Sequence, residues 1–170
     1  IEQISWSPDS KVIAYTSKKL SGKEATLSTN SDIYFYDLKS GETKNMTKGM
    51  MGFDIGPVFS PDGNYFAFES MERDGYESDQ NRLFIMNLNT GEVNYATKNF
   101  DQNVGSINWT ANSKDIYFTS DWHGAFQIYK YDLNLGEIIQ ITEGLQDYRS
   151  VALAGKQLVA TKQTMAMPTE

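Results

Sequence analysis

The chain has 170 residues, enough for one sizeable core, and its 13% aromatic content, rich in tyrosine and phenylalanine, suits β structure. A formal net charge of −7 argues against a nucleic-acid surface. With no cysteine and a single histidine, the sequence holds neither a disulfide framework nor a thiolate or two-histidine metal site, and no apolar run reaches the length of a membrane-spanning helix.

In chain order, Ile4-Ser-Trp-Ser-Pro-Asp-Ser-Lys-Val-Ile-Ala-Tyr-Thr-Ser17 reads as strand, tight turn, strand. The phrase returns as Pro57-Val-Phe-Ser-Pro-Asp-Gly-Asn-Tyr-Phe-Ala-Phe-Glu-Ser70 and as Ile107-Asn-Trp-Thr-Ala-Asn-Ser-Lys-Asp-Ile-Tyr-Phe-Thr-Ser120. The anchors Trp6, Phe59 and Trp109 recur about every fifty residues, a period that marks repeats which bury their faces against neighbours. In Ser60-Pro61-Asp62-Gly63 the proline presets φ for the turn, the aspartate bonds its own backbone and the glycine tolerates the left-handed conformation. A second shared phrase follows each: Asp32-Ile-Tyr-Phe-Tyr-Asp-Leu38, Arg82-Leu-Phe-Ile-Met-Asn-Leu88 and Gln127-Ile-Tyr-Lys-Tyr-Asp-Leu133. A Gly-Glu turn and a short strand ending at Thr47, Thr97 or Thr142 close each unit.

The first repeat therefore predicts strands near residues 4–6, 12–17, 32–38 and 43–46. Four short strands per unit, with helix signals nearly absent, give an all-β fold: a partial β-propeller of about three four-stranded antiparallel blades plus part of a fourth. The blades are placed at about 4–49, 57–97, 106–144 and a partial 150–170. Residues 1 and 170 both fall inside a repeat phrase, so the chain is read as a piece of a longer protein.

Antiparallel order puts the Ser-Pro-Asp turns on one face of the disc and the insertions between the second and third strands on the other. Those insertions are read as loops at 18–31, 71–81 and 121–125. Long loops carry function more often than turns. The stretch at 69–79 is the most charged, with Glu69, Glu72, Asp74, Glu77 and Asp79. It has the composition to grip a cation, a substrate amine or a basic partner, or simply to form a solvated loop with Arg73 paired locally and Asp74-Gly75 turning. The ligand spacing of an EF-hand is missing. No Gly-x-Ser-x-Gly elbow, phosphate loop or dinucleotide motif occurs, and His123 has no evident serine partner, so no catalytic residue, metal ligand or cofactor site is assigned. Asn45-Met-Thr47 and Asn108-Trp-Thr110 match the glycosylation sequon.

These repeats resemble the WD40-like propeller repeat of TolB-type proteins and of prolyl oligopeptidase-family serine peptidases. The segments at 19–34, 68–76 and 100–103, with the tail Ala160-Thr-Lys-Gln-Thr-Met-Ala-Met-Pro-Thr-Glu170, resemble the propeller of the dipeptidyl-peptidase V and acylaminoacyl-peptidase type. Thr110-Ala-Asn departs from Ser-Pro-Asp, a change expected to touch turn stability alone. The resemblance implies a non-catalytic segment that gates access and helps position peptide substrates for a separate C-terminal α/β-hydrolase domain in the same parent. It also implies a periplasmic or secreted protein. Glu69, Glu72, Arg73 and Asp74 become the substrate-binding candidates: the carboxylates for a peptide's free amine, Arg73 for a carbonyl or for bracing the loop. Two other classes share features of the chain: a TolB-like interaction propeller without enzymatic activity, and a carbohydrate-active propeller, which a single histidine counts against. An open arc of blades would also expose two sheet faces, through which self-association is expected.

Overall fold

The computed structural model describes residues 1–155 and 157–169. Lys156 of the fourth phrase and Glu170 of the tail motif lie outside the described residues. Three four-stranded antiparallel meanders and a two-stranded hairpin follow one another along the chain. The first sheet comprises β1 (Glu2–Trp6), β2 (Val12–Ser17), β3 (Asp32–Asp37) and β4 (Thr43–Asn45). The second comprises β5 (Asp54–Phe59), β6 (Tyr65–Ser70), β7 (Arg82–Asn87) and β8 (Val93–Tyr95). The third comprises β9 (Gly105–Trp109), β10 (Asp115–Trp122), β11 (Ala125–Asp132) and β12 (Glu137–Gln140), and the hairpin β13 (Asp147–Ala154) and β14 (Gln157–Gln163). This is the expected all-β partial propeller. The first strand of each sheet packs on the sheet before it: β5 on β1, β2 and β3, β9 on β5 and β6, and β13 on β9, β10 and β11.

The strands lack polar alternation because both faces are covered. In β6, Phe66 and Phe68 face the first sheet, packing with Ala14, Ile33, Phe59 and Met86. Ala67 faces the third sheet among Ile85, Ile107, Trp109 and Phe118. Phe66 is fully buried, its ring centroid 5.0 Å from Phe35, 5.8 Å from Phe59 and 5.2 Å from Phe68. Trp109 does for the third sheet what Phe59 does for the second: its indole stacks on Tyr65 and its Nε1–H donates to the Val58 carbonyl at 3.2 Å. Trp6, the same position in the first repeat, packs on no neighbouring sheet among the described residues and is 56% exposed.

Each hairpin turn is built alike. The Ser7, Ser60 and Thr110 hydroxyls donate to Asp9, Asp62 and Asn112 at 2.8, 2.6 and 2.7 Å, and each accepts the N–H of the returning strand. Thr110-Ala-Asn thus keeps the turn chemistry. The last turn residue is left-handed in all three copies: Ser10 (φ 57°), Gly63 (φ 73°) and Ser113 (φ 57°). A β-bulge interrupts each first-to-second strand pairing, with Gln3, Gly56 and Ser106 left-handed at φ 50°, 64° and 55°.

Two details differ from expectation. The insertion at 18–31 is not all loop: Gly22–Leu27 forms a six-residue helix, α1, over a Lys-Glu-Ala run of helix formers. The connection read at 121–125 is mostly strand, since Trp122 pairs with Ala125 and only His123-Gly124 turns. Both turn residues have positive φ, 49° and 81°, the type I′ geometry that matches strand twist. In the tail, Thr164 and Met167 close a turn after β14.

Candidate functional site

The two long insertions, 18–31 and 71–81, emerge on the same face and are fastened to each other by Asp74. Its Oδ1 accepts from the Ser28 hydroxyl at 2.8 Å, the Thr29 N–H at 2.7 Å and the Asn30 N–H at 3.1 Å. The Gly75 N–H returns a bond to the Thr29 hydroxyl at 2.8 Å. The Ser28 hydroxyl leads the contacts that hold the Asp74 carboxyl below its usual pKa. Under this clasp lies a cleft of about 500 Å³, lined by Lys18, Thr29, Phe53, Met71 and Glu77 among others. Lys18 Nζ caps the carbonyl end of α1 through Ala25 and Ser28.

The four predicted site residues do not converge on one point. Glu72 is exposed and pairs with Arg82 at 3.3 Å, while Arg82 Nε holds the Ser70 carbonyl at 3.1 Å. Arg73 makes a two-nitrogen contact with Asp79 and lies over the Tyr76 ring, 4.0 Å from its centroid. That pairing raises the Arg73 pKa and lowers that of Asp79. Asp74 is committed to the clasp. Glu69 belongs to β6 rather than to the loop. Its carboxyl lies against the β5 bulge, where a Cβ on Gly56 would stand 3.4 Å from Oε1. Burial alone pushes its pKa up to about 7.

The repeat explains the place of Glu69. Its counterparts are Thr16 and Thr119, short side chains bonded across the same bulge, to Gln3 at 3.0 Å and to the Gly105 carbonyl at 3.1 Å. In the first repeat Gln3 fills the bulge and accepts the Gly56 N–H of the next sheet at 2.9 Å. In the second, the bulge residue is glycine and the long glutamate occupies that space.

Sequence reasoning missed another acid. Asp54 opens β5 with no solvent exposure, and neither carboxylate oxygen has a hydrogen-bond partner. Desolvation pushes its pKa up to about 7, and the nearby Asp32 carboxylate adds to the rise; the Ser70 and Thr47 hydroxyls and the Arg82 guanidinium pull the other way without reaching a hydrogen bond. The third repeat has Val104 at the same place: the Asp54 N–H donates to the Ser31 carbonyl as the Val104 N–H donates to that of Asn81. A carboxyl group therefore sits at a core position beneath the roots of both insertions. Among the described residues, no cluster of histidine and acidic side chains has the geometry to hold a metal ion.

The TolB beta propeller domain family matches residues 3–168. Two relatives align over nearly all of the chain: dipeptidyl-peptidase 5 of Porphyromonas gingivalis, 45% identical over 100% of the chain, and dipeptidyl-peptidase 5 of Porphyromonas endodontalis, 48% identical over 98%. The chain spans 25% and 24% of their lengths. Among solved structures, the uncomplexed acylaminoacyl peptidase of Pyrococcus horikoshii superposes with a TM-score of 0.76 at 20% identity, over 98% of this chain and 25% of that one, a likeness of fold.

Proposed function

The chain belongs to the TolB β-propeller family, and from that premise we propose that it is the non-catalytic propeller segment of a serine exopeptidase of the dipeptidyl- or acylaminoacyl-peptidase type. The observation that carries this reading is identity of 45–48% with two dipeptidyl-peptidases along essentially the whole chain. In this reading the blades at 4–49, 57–97, 106–144 and 150–170 wall a chamber over a C-terminal α/β-hydrolase domain, admit short peptides and exclude folded proteins. The parent works in the periplasm or outside the cell, and the open sheet faces meet further blades of the parent or a second copy.

Within that role the four acidic and basic candidates divide. Asp74 and the Arg73–Asp79 pair set the shape of the entrance, since their charges are already bonded to neighbours. Glu69 is the one candidate whose charge is set by burial instead of by a partner, so it is the position fitted to receive a peptide's ammonium group. Approach of a cation stabilises its ionised form.

The test is kinetic and uses the full-length parent. Glu69→Gln should raise KM for dipeptide substrates with a free amino terminus and leave N-acylated substrates unchanged. Equal effects on both substrate classes would refute the amine role. A TolB-like interaction propeller remains the second reading, because the family match alone is met equally well by a propeller with no enzyme attached.

A further inference from the structure

A broad hollow opens on the outer side of the wedge between the second and third sheets, reaching Trp122 at the end of β10 on one side and the Asn134–Gly136 turn on the other. It encloses about 730 Å³ between β8 and the residues leading from it on one wall, and β11 and β12 on the other. A smaller hollow of about 280 Å³ shares Asn94 and Leu133 with it and extends it along the blade. The volume lies within the range of ligand sites, about 300–1,000 Å³.

Strand β8 is the last of its sheet. Asn87 N–H bonds the Glu92 carbonyl and Ala96 N–H bonds the Leu83 carbonyl, both at 2.9 Å, with Asn94 opposite Ile85 between them. Antiparallel alternation then turns the N–H and C=O groups of Val93 and Tyr95 away from β7, toward the open side. The facing wall offers a second unmet group. Tyr129 is 4% exposed, and its hydroxyl, buried at the floor, has no hydrogen-bond partner. Beside it the Asn94 amide already reaches the Tyr131 hydroxyl at 3.1 Å. Lys98, on the rim, makes no ion pair among the described residues.

We propose that this groove is a peptide-binding site, in which an extended segment adds as a strand to the free edge of β8 and presents an acceptor-bearing side chain to Tyr129. An extended chain carries donors and acceptors at the spacing that Val93 and Tyr95 display, the geometry of strand addition. An oligosaccharide would need open ring faces. Here Tyr129 is stacked on Phe118 at 5.7 Å and met edge-on by Phe100 at 5.2 Å, and Tyr95 is stacked on Phe84 at 4.8 Å. Those rings are committed within the protein, and Trp122 at the rim, 42% exposed, is itself met edge-on by His123 at 4.4 Å, which leaves no pair of open ring faces along the floor. The site shares no residue with the cleft under the Asp74 clasp and does not depend on the peptidase reading.

The experiment is a titration of the ¹⁵N-labelled full chain with an acetylated, amidated hexapeptide of alternating valine and threonine bearing one aspartate, and in parallel with maltohexaose. Saturable peptide-induced shifts confined to the amides at 93–100 and 129–140 are expected. Val93→Pro removes an N–H that the sheet does not use, a substitution that edge strands tolerate, and should abolish binding. Tyr129→Phe should weaken it by roughly two- to tenfold, the worth of one hydrogen bond, and carries the test alone if the proline variant fails to fold. Absence of shifts at millimolar peptide, saturable shifts elsewhere, unchanged affinity in both variants, or binding of maltohexaose in place of the peptide would each overturn the proposal.

Discussion

Replacing Asp54 by valine, the residue that Val104 supplies at the same place in the third repeat, should stabilise the protein, and by more at alkaline than at acid pH. Burial moves the Asp54 carboxyl from 3.8 to about 7 in the folded state. Between those values the folded protein holds a proton that the unfolded chain has released, so stability falls as pH rises through this window. Below about pH 4 both states are protonated and the penalty vanishes; above about 7 it is complete. At 1.36 kcal/mol per pH unit the interval amounts to about 4 kcal/mol. Glu69, raised from 4.5 to about 7, acts in the same direction over a narrower interval. The lowered carboxyls of Asp37, Asp74 and Asp79 act with the opposite sign, and only toward more acid pH than this window.

Asp54→Val is close to isosteric and removes two unsatisfied oxygens along with the charge. At pH 8 removal of the charge alone should raise the melting temperature by roughly 8–16 °C, taking 2–4 °C per kcal/mol for a chain of this size. At pH 5, little more than one unit above 3.8, the charge accounts for only about 2 kcal/mol, so the gain should be smaller; relief of the unsatisfied polar group adds about 1–3 kcal/mol at either pH. The assay is thermal or urea unfolding at half-unit steps from pH 5 to 8 for wild type, Asp54→Val and Asp54→Val/Glu69→Gln. Since both carboxyls titrate near 7 in the folded state, the single variant should lose about half of the wild-type slope, and the double variant nearly all of it. A single variant less stable than wild type at pH 8, or one with an unchanged slope, would refute the reasoning.

Further outcomes follow from other parts of the fold. Asp74→Ala releases the clasp between the insertions, so trypsin should cut faster at Lys18, Lys19, Lys23 and Arg73 while the melting temperature stays near wild type; unchanged cleavage would mean that the loops hold their positions without it. Ser10→Gly relieves a left-handed serine on an exposed turn and should add about 0.5–1 kcal/mol of stability in urea unfolding, whereas Gly63→Ala at the matching turn should cost about 1–2 kcal/mol. Since nothing lies within 4 Å of a Cβ at Gly63, the effect there is one of backbone alone. Phe66→Ala empties the contact between the first two sheets and should cost about 3–5 kcal/mol by the same measurement.

The sequence displayed the repeat because its turns are local: Ser-Pro-Asp, Gly-Glu and the aromatic anchors each encode a few consecutive residues. The strands followed from spacing between those turns, and antiparallel order then put both long insertions on one face. What escaped depends on contacts between repeats. The clasp joins Asp74 to Ser28 and Thr29, partners about 45 residues apart whose types give no periodic signal. Helix α1 has six residues and buries none of them, so it leaves no apolar stripe to read. Asp54 stood outside the second repeat as drawn from Pro57, in Met51-Gly-Phe-Asp-Ile-Gly56, which reads as a loop. Extending the alignment outward from Phe59 and Trp109 would have set Asp54 against Val104 and revealed an acid at a core position. Glu69 was singled out for its charge, and the structure supplies the reason for that charge's setting: a bulge glycine that leaves it room.

Peptidase activity of the full-length parent decides the central claim. Release of chromophore from dipeptidyl and N-acyl-aminoacyl substrates should be measured before and after treatment with a serine-directed phosphonate. Cleavage that the phosphonate abolishes is the predicted result and makes this propeller the gate of a serine exopeptidase. A folded parent that cleaves neither substrate, or that cleaves them with the phosphonate bound, would contradict the account and leave a binding propeller in its place.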